Sequence, residues 1–167
     1  MALIATHVRF ALDIIDGNEV KSLKEYLNGT IYPDSQKVTK VGRDLTHSRD
    51  ILAQPPDQTD FTRGWLVHCI CDEIQMEIHK ELFPDTGTDE IERIWPYITA
   101  LKLLQDRNDA DFINMQEYLP FLDDAESPNN EDIDLVIKYN RAIQEAYKER
   151  DIRLDSYYHM FIEHGLE

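Results

Sequence analysis

Glycine and proline are scarce in this chain, six and seven among 167 residues. So few turn formers exclude a many-stranded β fold and leave long regular elements as the expectation. Cysteine is scarcer still, with only Cys69 and Cys71. Two residues apart, they point to different sides of any helix they occupy, so a disulfide between them is not expected. The spacing is also narrower than structural zinc sites use, which leaves buried free thiols. No apolar run is long enough to span a bilayer. The opening stretch, MALIATHVRFALDII, lacks the basic start and cleavage site of a signal peptide and reads as an amphipathic helix. A cytoplasmic protein is therefore expected. Basic residues are outnumbered 33 to 17, for a formal charge of −16. Such a surface repels nucleic acid at long range, and no nucleic-acid partner is expected. A small phosphorylated substrate is not excluded, because a bound metal reverses the sign locally.

What is present supports a packed interior: 42% of the residues are hydrophobic and 10% aromatic. The length suits one domain over residues 1–167. Residues 3–16 carry helical periodicity, with Leu3, His7, Phe10, Ala11 and Ile14 on one face and Gly17 as a stop. A second helix is predicted over 19–28, ending at Asn28-Gly29. Residues 30–56, with Tyr-Pro-Asp-Ser at 32–35, Gly42 and Pro55-Pro56, read as a long loop holding at most a helical turn. The loop carries Lys37, Lys40, Arg43 and Arg49 against Asp34, Asp44 and Asp50, a positive balance in an acidic chain. The clearest helix spans 58–83, capped near Asp57 or Thr59 and ended by Pro84. A further helix is predicted over 88–105, with Thr88 as cap and a kink at Pro96. A mixed stretch follows over 107–129, and then a helix over 131–150 that continues toward 164. The fold class is all-α.

The helix at 58–83 carries the chemistry. Phe61, Trp65, His68, Cys69, Asp72, Met76, His79 and Phe83 fall near one line, and Val67, Ile70, Ile74 and Ile78 make a second apolar side. A helix so patterned should be buried on most sides. Asp72 then lies on an apolar stripe, where a carboxylate requires a compensating cation. His68 precedes it by one turn, and the i, i+4 spacing lets both side chains reach one metal. His79 shares the face but stands two turns beyond Asp72, about 10 Å along the axis. His7 occupies an apolar face where an aliphatic residue is usual, and Asp34 and His47 sit in the intervening loop. Three histidines and two aspartates form a nitrogen and oxygen donor set suited to zinc, manganese or iron.

His7 in a first helix, Asp34 in Pro-Asp-Ser, His47, and Gly64-Trp65-Leu66-Val67-His68 followed by Asp72 resemble the zinc-dependent phospholipase C and S1/P1 nuclease superfamily. The resemblance covers roughly residues 1–80. It implies a compact all-α fold with a buried multi-metal site for phosphoester hydrolysis. In that frame His68 and Asp72 are ligands from one helix, Asp34 is the loop carboxylate, and His7 and His47 complete the set. His79 is placed at a further ion, and His159 with Glu163 matches a closing HxxxE pair. The chain begins Met-Ala where secreted members carry a tryptophan ligand, so one or two ions are implied rather than three.

The resulting expectation is a metal-dependent hydrolase of a small phosphomonoester or phosphodiester. Asp34 and Asp72 are the catalytic candidates and Arg43 and Arg49 the phosphate clamps. An HD-type phosphohydrolase is the alternative enzyme, although no adjacent His-Asp pair occurs. A metal-stabilised helical interaction protein is the non-catalytic alternative.

Overall fold

A computed structural model describes residues 2–15, 20–48, 50–51, 59–84, 91–149 and 154–158. The all-α expectation holds: the described residues form helices and short 3-10 turns joined by loops, without a strand. The helices are α1 Ile4–Ile14, α2 Leu23–Ile31, α3 Gln36–Thr39, α4 Arg43–Thr46, α5 Asp60–Leu82, α6 Ile91–Phe112, α7 Ile133–Ala146 and α8 Leu154–Tyr158. No helix among the described residues is long and apolar enough to cross a membrane.

α5 starts where the sequence places it. The Thr59 hydroxyl accepts the Thr62 amide, satisfying one of the donors a helix start leaves open. α2 differs from expectation. It begins at Leu23, with the Ser22 hydroxyl accepting the Glu25 amide, and runs through Asn28-Gly29 instead of stopping there. Gly29 is in place for another reason. A Cβ on it would lie 1.9 Å from the Phe61 carbonyl oxygen, and one on Gly64 would lie 1.9 Å from that of Tyr26. The two glycines let the backbones of α2 and α5 touch, and this is the most extensive helix pairing among the described residues.

The predicted long loop is also corrected. Chain 32–46 coils into a 3-10 turn at Tyr32–Ser35, then α3 and α4. Pro33 fits the first positions of the 3-10 turn because no amide is needed there. The Tyr32 hydroxyl donates to Glu131 and accepts from Asn129, which ties the turn to the approach to α7. The helix predicted to end at 105 continues to Phe112 with Pro96 inside it, and 3-10 turns follow at Met115–Glu117 and Leu119–Phe121. α7 ends at Ala146 and does not run on toward 164. Gly17, Asp57 and Thr88 lie outside the described residues.

The core joins Ile4, Val8 and Ala11 of α1, Tyr26, Leu27 and Ile31 of α2, Val67 of α5, and Tyr139, Ala142 and Ile143 of α7. At its edge Asp106 of α6 is fully buried and takes four donors. Its Oδ1 accepts the Ala5 and Thr6 amides at 2.8 and 3.2 Å, and its Oδ2 accepts the Tyr147 and Tyr157 hydroxyls at 2.6 and 2.7 Å. Leu3 offers α1 no side-chain cap, so a carboxylate from a distant helix does that work. Burial pushes the Asp106 carboxyl up to about 6, against the pull of these four donors.

α5 is not buried on most sides along its length. Val67, Cys69 and Cys71 are buried, but Ile74, Met76, Ile78 and Leu82 are exposed. With Leu101 and Leu104 of α6, the residues Ile74, Ile78 and Leu82 line an open cleft of about 690 Å³. Apolar periodicity marked Ile74 and Ile78 as part of one side of a helix, and the structure leaves that side facing α6 across a gap. Both cysteines are free, as expected, and burial pushes each thiol up to about 12.

Candidate metal centre

Five of the residues singled out from sequence converge at the N-terminal half of α5. His68, fully buried, faces the end of α2. Its Nδ1 lies 2.8 Å from the Thr30 carbonyl oxygen, which can only accept, so Nδ1 carries the proton and Nε2 presents a lone pair. The Gly29–Gly64 crossing sets this distance by bringing the end of α2 against α5. His7 of α1 stacks on His68, with ring centroids 3.7 Å apart. Both ring nitrogens of His7 are buried without a hydrogen-bond partner. His47 closes α4, and the Trp65 indole holds that end by donating to the Thr46 carbonyl. Arg43 Nη1 donates to His47 Nε2 at 3.2 Å, so this nitrogen too is an acceptor. It lies 3.2 Å from His68 Nε2.

Asp72 sits among the three rings. Its Oδ1 accepts the Ala2 amide at 3.0 Å and lies 3.5 Å from His7 Nε2. Its Oδ2 lies 3.2 Å from Arg43 Nη2, 3.6 Å from His47 Nε2 and 3.9 Å from His68 Nε2. Asp34, carried by the 3-10 turn after α2, is also buried. Its Oδ1 accepts no hydrogen bond, although Lys37 Nζ stands 3.7 Å away.

The arrangement suits a small cation. Two atoms each about 2.0–2.1 Å from a tetrahedral ion lie about 3.3 Å apart. The facing His68 and His47 nitrogens, at 3.2 Å, match that separation, and an ion between them would take the single lone pair of His47 Nε2 in place of Arg43. The ligand atoms of His7, His68 and Asp72 lie within 4.8 Å of one another, as do those of Asp34, His47 and His68, so two overlapping groups share His68. A cation would also satisfy the ring nitrogen of His7 and the Oδ1 of Asp34, which are buried without a hydrogen-bond partner.

The electrostatics favour neutral imidazoles and ionised carboxylates. Burial, with His68 beside it, lowers His7 well below the ordinary histidine range. Burial also lowers His68, and burial with His68 and Arg43 lowers His47 to about 4. Burial alone would raise the two aspartates, but the neighbouring groups outweigh it, because a proton held by the cluster goes to an imidazole before a carboxylate. Lys37 and the histidines hold Asp34 well below the carboxylate range, and His68 and His7 hold Asp72 down. Metal ligation requires these protonation states.

A pH dependence follows for the chain studied with a chelator. Unfolded histidines take protons near pH 6.5, while His7, His47 and His68 resist them when folded. The stability gained by keeping them neutral is complete above about pH 6.5 and drains away as pH falls toward 4. His47 alone accounts for about 3 kcal/mol of that loss at pH 4. Thermal melts from pH 7.5 to 4 should show a progressive fall in Tm, and a flat profile would contradict the burial of neutral rings.

Not every candidate joins the cluster. His79 is half-buried on the wall of the α5–α6 cleft, well beyond Asp72, so its assignment to an ion is not supported by position; burial and Lys102 lower its pKa. Arg43 reaches the site, whereas Arg49, His159 and Glu163 lie outside the described residues. Sequence reasoning missed the Thr30 carbonyl, the Ala2 amide and Lys37 as parts of the site. Lys37 was open to discovery, because it stands three residues from Asp34. The others carry no local signal.

No protein-family model, curated protein or solved structure gives a match to this chain.

Proposed function

We propose that this chain is a metal-dependent hydrolase of a small phosphoester and a divergent member of the zinc-dependent phospholipase C and S1/P1 nuclease superfamily. The observation that carries the reading is the pair of acceptor nitrogens, His68 Nε2 and His47 Nε2, 3.2 Å apart beside two ionised aspartates. His7, His68 and Asp72, or Asp34, His47 and His68, would hold an ion, one group at a time through the single lone pair of His68 Nε2, zinc fitting the donor set best and manganese or iron next. A divalent ion there supplies Lewis acidity toward a phosphoryl oxygen and makes a bound water easier to deprotonate.

The remaining roles fall to the chain itself. Both oxygens of Asp72 are engaged, by the Ala2 amide and by Arg43, which suits a positioning role. Asp34 keeps Oδ1 without a hydrogen bond and is ionised far below neutral pH. A carboxylate so acidic is a weak base, so it orients an attacking water more than it takes its proton. Arg43, nearly half exposed at the mouth, is placed to bind a phosphoryl oxygen. The acidic exterior disfavours long nucleic acids as substrate. Two buried free thiols agree with a cytoplasmic setting, which we also propose.

A screen of phosphoesters with the metal-loaded chain tests the reading, with His68→Ala as the control. Hydrolysis should require the ion and disappear in the variant. Activity that survives both chelation and the substitution belongs to a contaminant. Inactivity with zinc, manganese, iron and magnesium, in a chain that still takes up metal, favours a non-catalytic metal-stabilised domain.

A further inference from the structure

The open cleft between α5 and α6 shares none of its described lining residues with the His/Asp cluster. Its walls are aliphatic. Ile74, Ile78 and Leu82 follow one another at four-residue intervals, a row about 12 Å long on α5. Leu101 and Leu104 of α6 line the same space, and all five side chains are exposed. A contiguous apolar surface of this kind marks a binding groove. The volume of about 690 Å³ lies within the range of small-molecule sites.

The polar part of the lining says what kind of molecule fits. Gln75 of α5 and Thr6 of α1 both line the cleft, and each is only 6% exposed. Gln75 Nε2 donates to Gln105 Oε1 at 3.3 Å, which holds the amide in place. Gln75 Oε1 and Thr6 Oγ1 are buried with no hydrogen-bond partner among the described residues. Buried polar atoms are almost always paired, so each of these requires an explanation. The amide oxygen can only accept and therefore needs a ligand that donates, whereas the threonine hydroxyl can do either. A ligand carboxylate brings acceptors alone. The ionic groups of the lining pair with one another, Arg9 Nη1 2.8 Å from Asp109 and Arg9 Nε 3.4 Å from Asp13, which favours a neutral head group.

We propose that this cleft binds a neutral alcohol with an aliphatic body. The body lies along the rows of α5 and α6, and the hydroxyl donates to Gln75 Oε1. Thr6 Oγ1 is the second polar contact offered to the ligand.

The probe is 1-octanol, titrated into the chain by calorimetry, with octanoate at neutral pH as the comparison. One molecule of 1-octanol should bind per chain. Octanoate should bind at least about tenfold more weakly, the difference one unpaired buried polar group makes. Gln75→Leu nearly keeps the side chain's size and removes the acceptor. Affinity for 1-octanol should then fall about tenfold, and the preference over octanoate should disappear. Thr6→Val keeps the shape of the side chain and should also weaken 1-octanol. The two polar variants lie on different helices, so the test does not depend on the folding of one. Ile78→Asn, at an exposed position, should weaken both ligands alike. No binding of 1-octanol, equal affinity for octanoate, or unchanged affinity in both polar variants overturns the proposal. So does a dimer in sedimentation that Ile78→Asn dissociates, which would make the cleft a contact between copies of the chain.

Discussion

Gly64→Ala should cost this chain about 3 kcal/mol or more of stability, at the upper end of overpacking penalties. The added methyl would lie 1.9 Å from the Tyr26 carbonyl oxygen and 2.8 Å from the Thr30 amide nitrogen, both backbone atoms that no side-chain rotation can move. In an exposed helix the same change is stabilising by up to about 1 kcal/mol, so the sign of the effect reports the backbone contact directly. For a chain of this size the fall in Tm should be about 6–12 °C. The substitution should also weaken metal binding. Parting α2 from α5 moves the Thr30 carbonyl away from His68 Nδ1 and releases the proton position that leaves Nε2 as a ligand. A variant that melts like the wild type would show that the helices do not cross as closely as described.

His68→Ala should abolish metal binding altogether, a larger loss than any other single ligand should give. His68 belongs to both ligand groups, whereas His7 and Asp72 belong to one and Asp34 and His47 to the other. Removing His7 or His47 alone should therefore leave one group intact and retain part of the metal. Elemental analysis of protein purified without chelator separates these outcomes, with His79→Ala as a variant that should keep the full content. The thermal stabilisation gained on adding metal should vanish in His68→Ala. That gain is about 2.7 kcal/mol when free metal is a hundred times its dissociation constant. Full metal content in His68→Ala would remove that residue from the ligand set.

How much of this was legible in the sequence depended on whether the information was local. Helical spacing places His68 and Asp72 one turn apart on one face, and the same periodicity places His7 on the buried face of α1. Those inferences need only the 100° step of a helix. Asp34 and His47 were added to the donor set by residue type alone, and the family resemblance gave them roles, because nothing local distinguishes a ligand from a surface residue in a stretch without periodicity. That stretch itself was misjudged. Its coils are short and are held by distant partners, Tyr32 by Glu131 and the end of α4 by Trp65, which no window of local sequence contains. Gly29 had the appearance of a helix stop because glycine is common there. Its actual role is steric and depends on a helix thirty residues further along. The exposed row Ile74, Ile78 and Leu82 shows the converse, since periodicity identifies an apolar face but not what lies opposite.

The carboxylate of Asp106 has a consequence for biosynthesis. All five clustered residues, His7 through Asp72, have been synthesised before Asp106 is added, and the tyrosines that share its second oxygen come later still, at 147 and 157. A growing chain therefore contains every ligand while the start of α1, which carries His7, still lacks the acceptor for its first amides. α1 also packs on α2 and α5, which carry His68 and Asp72, so docking of α6 completes the cap at the start of α1, and that cap closes after the segment bearing the ligands has been made.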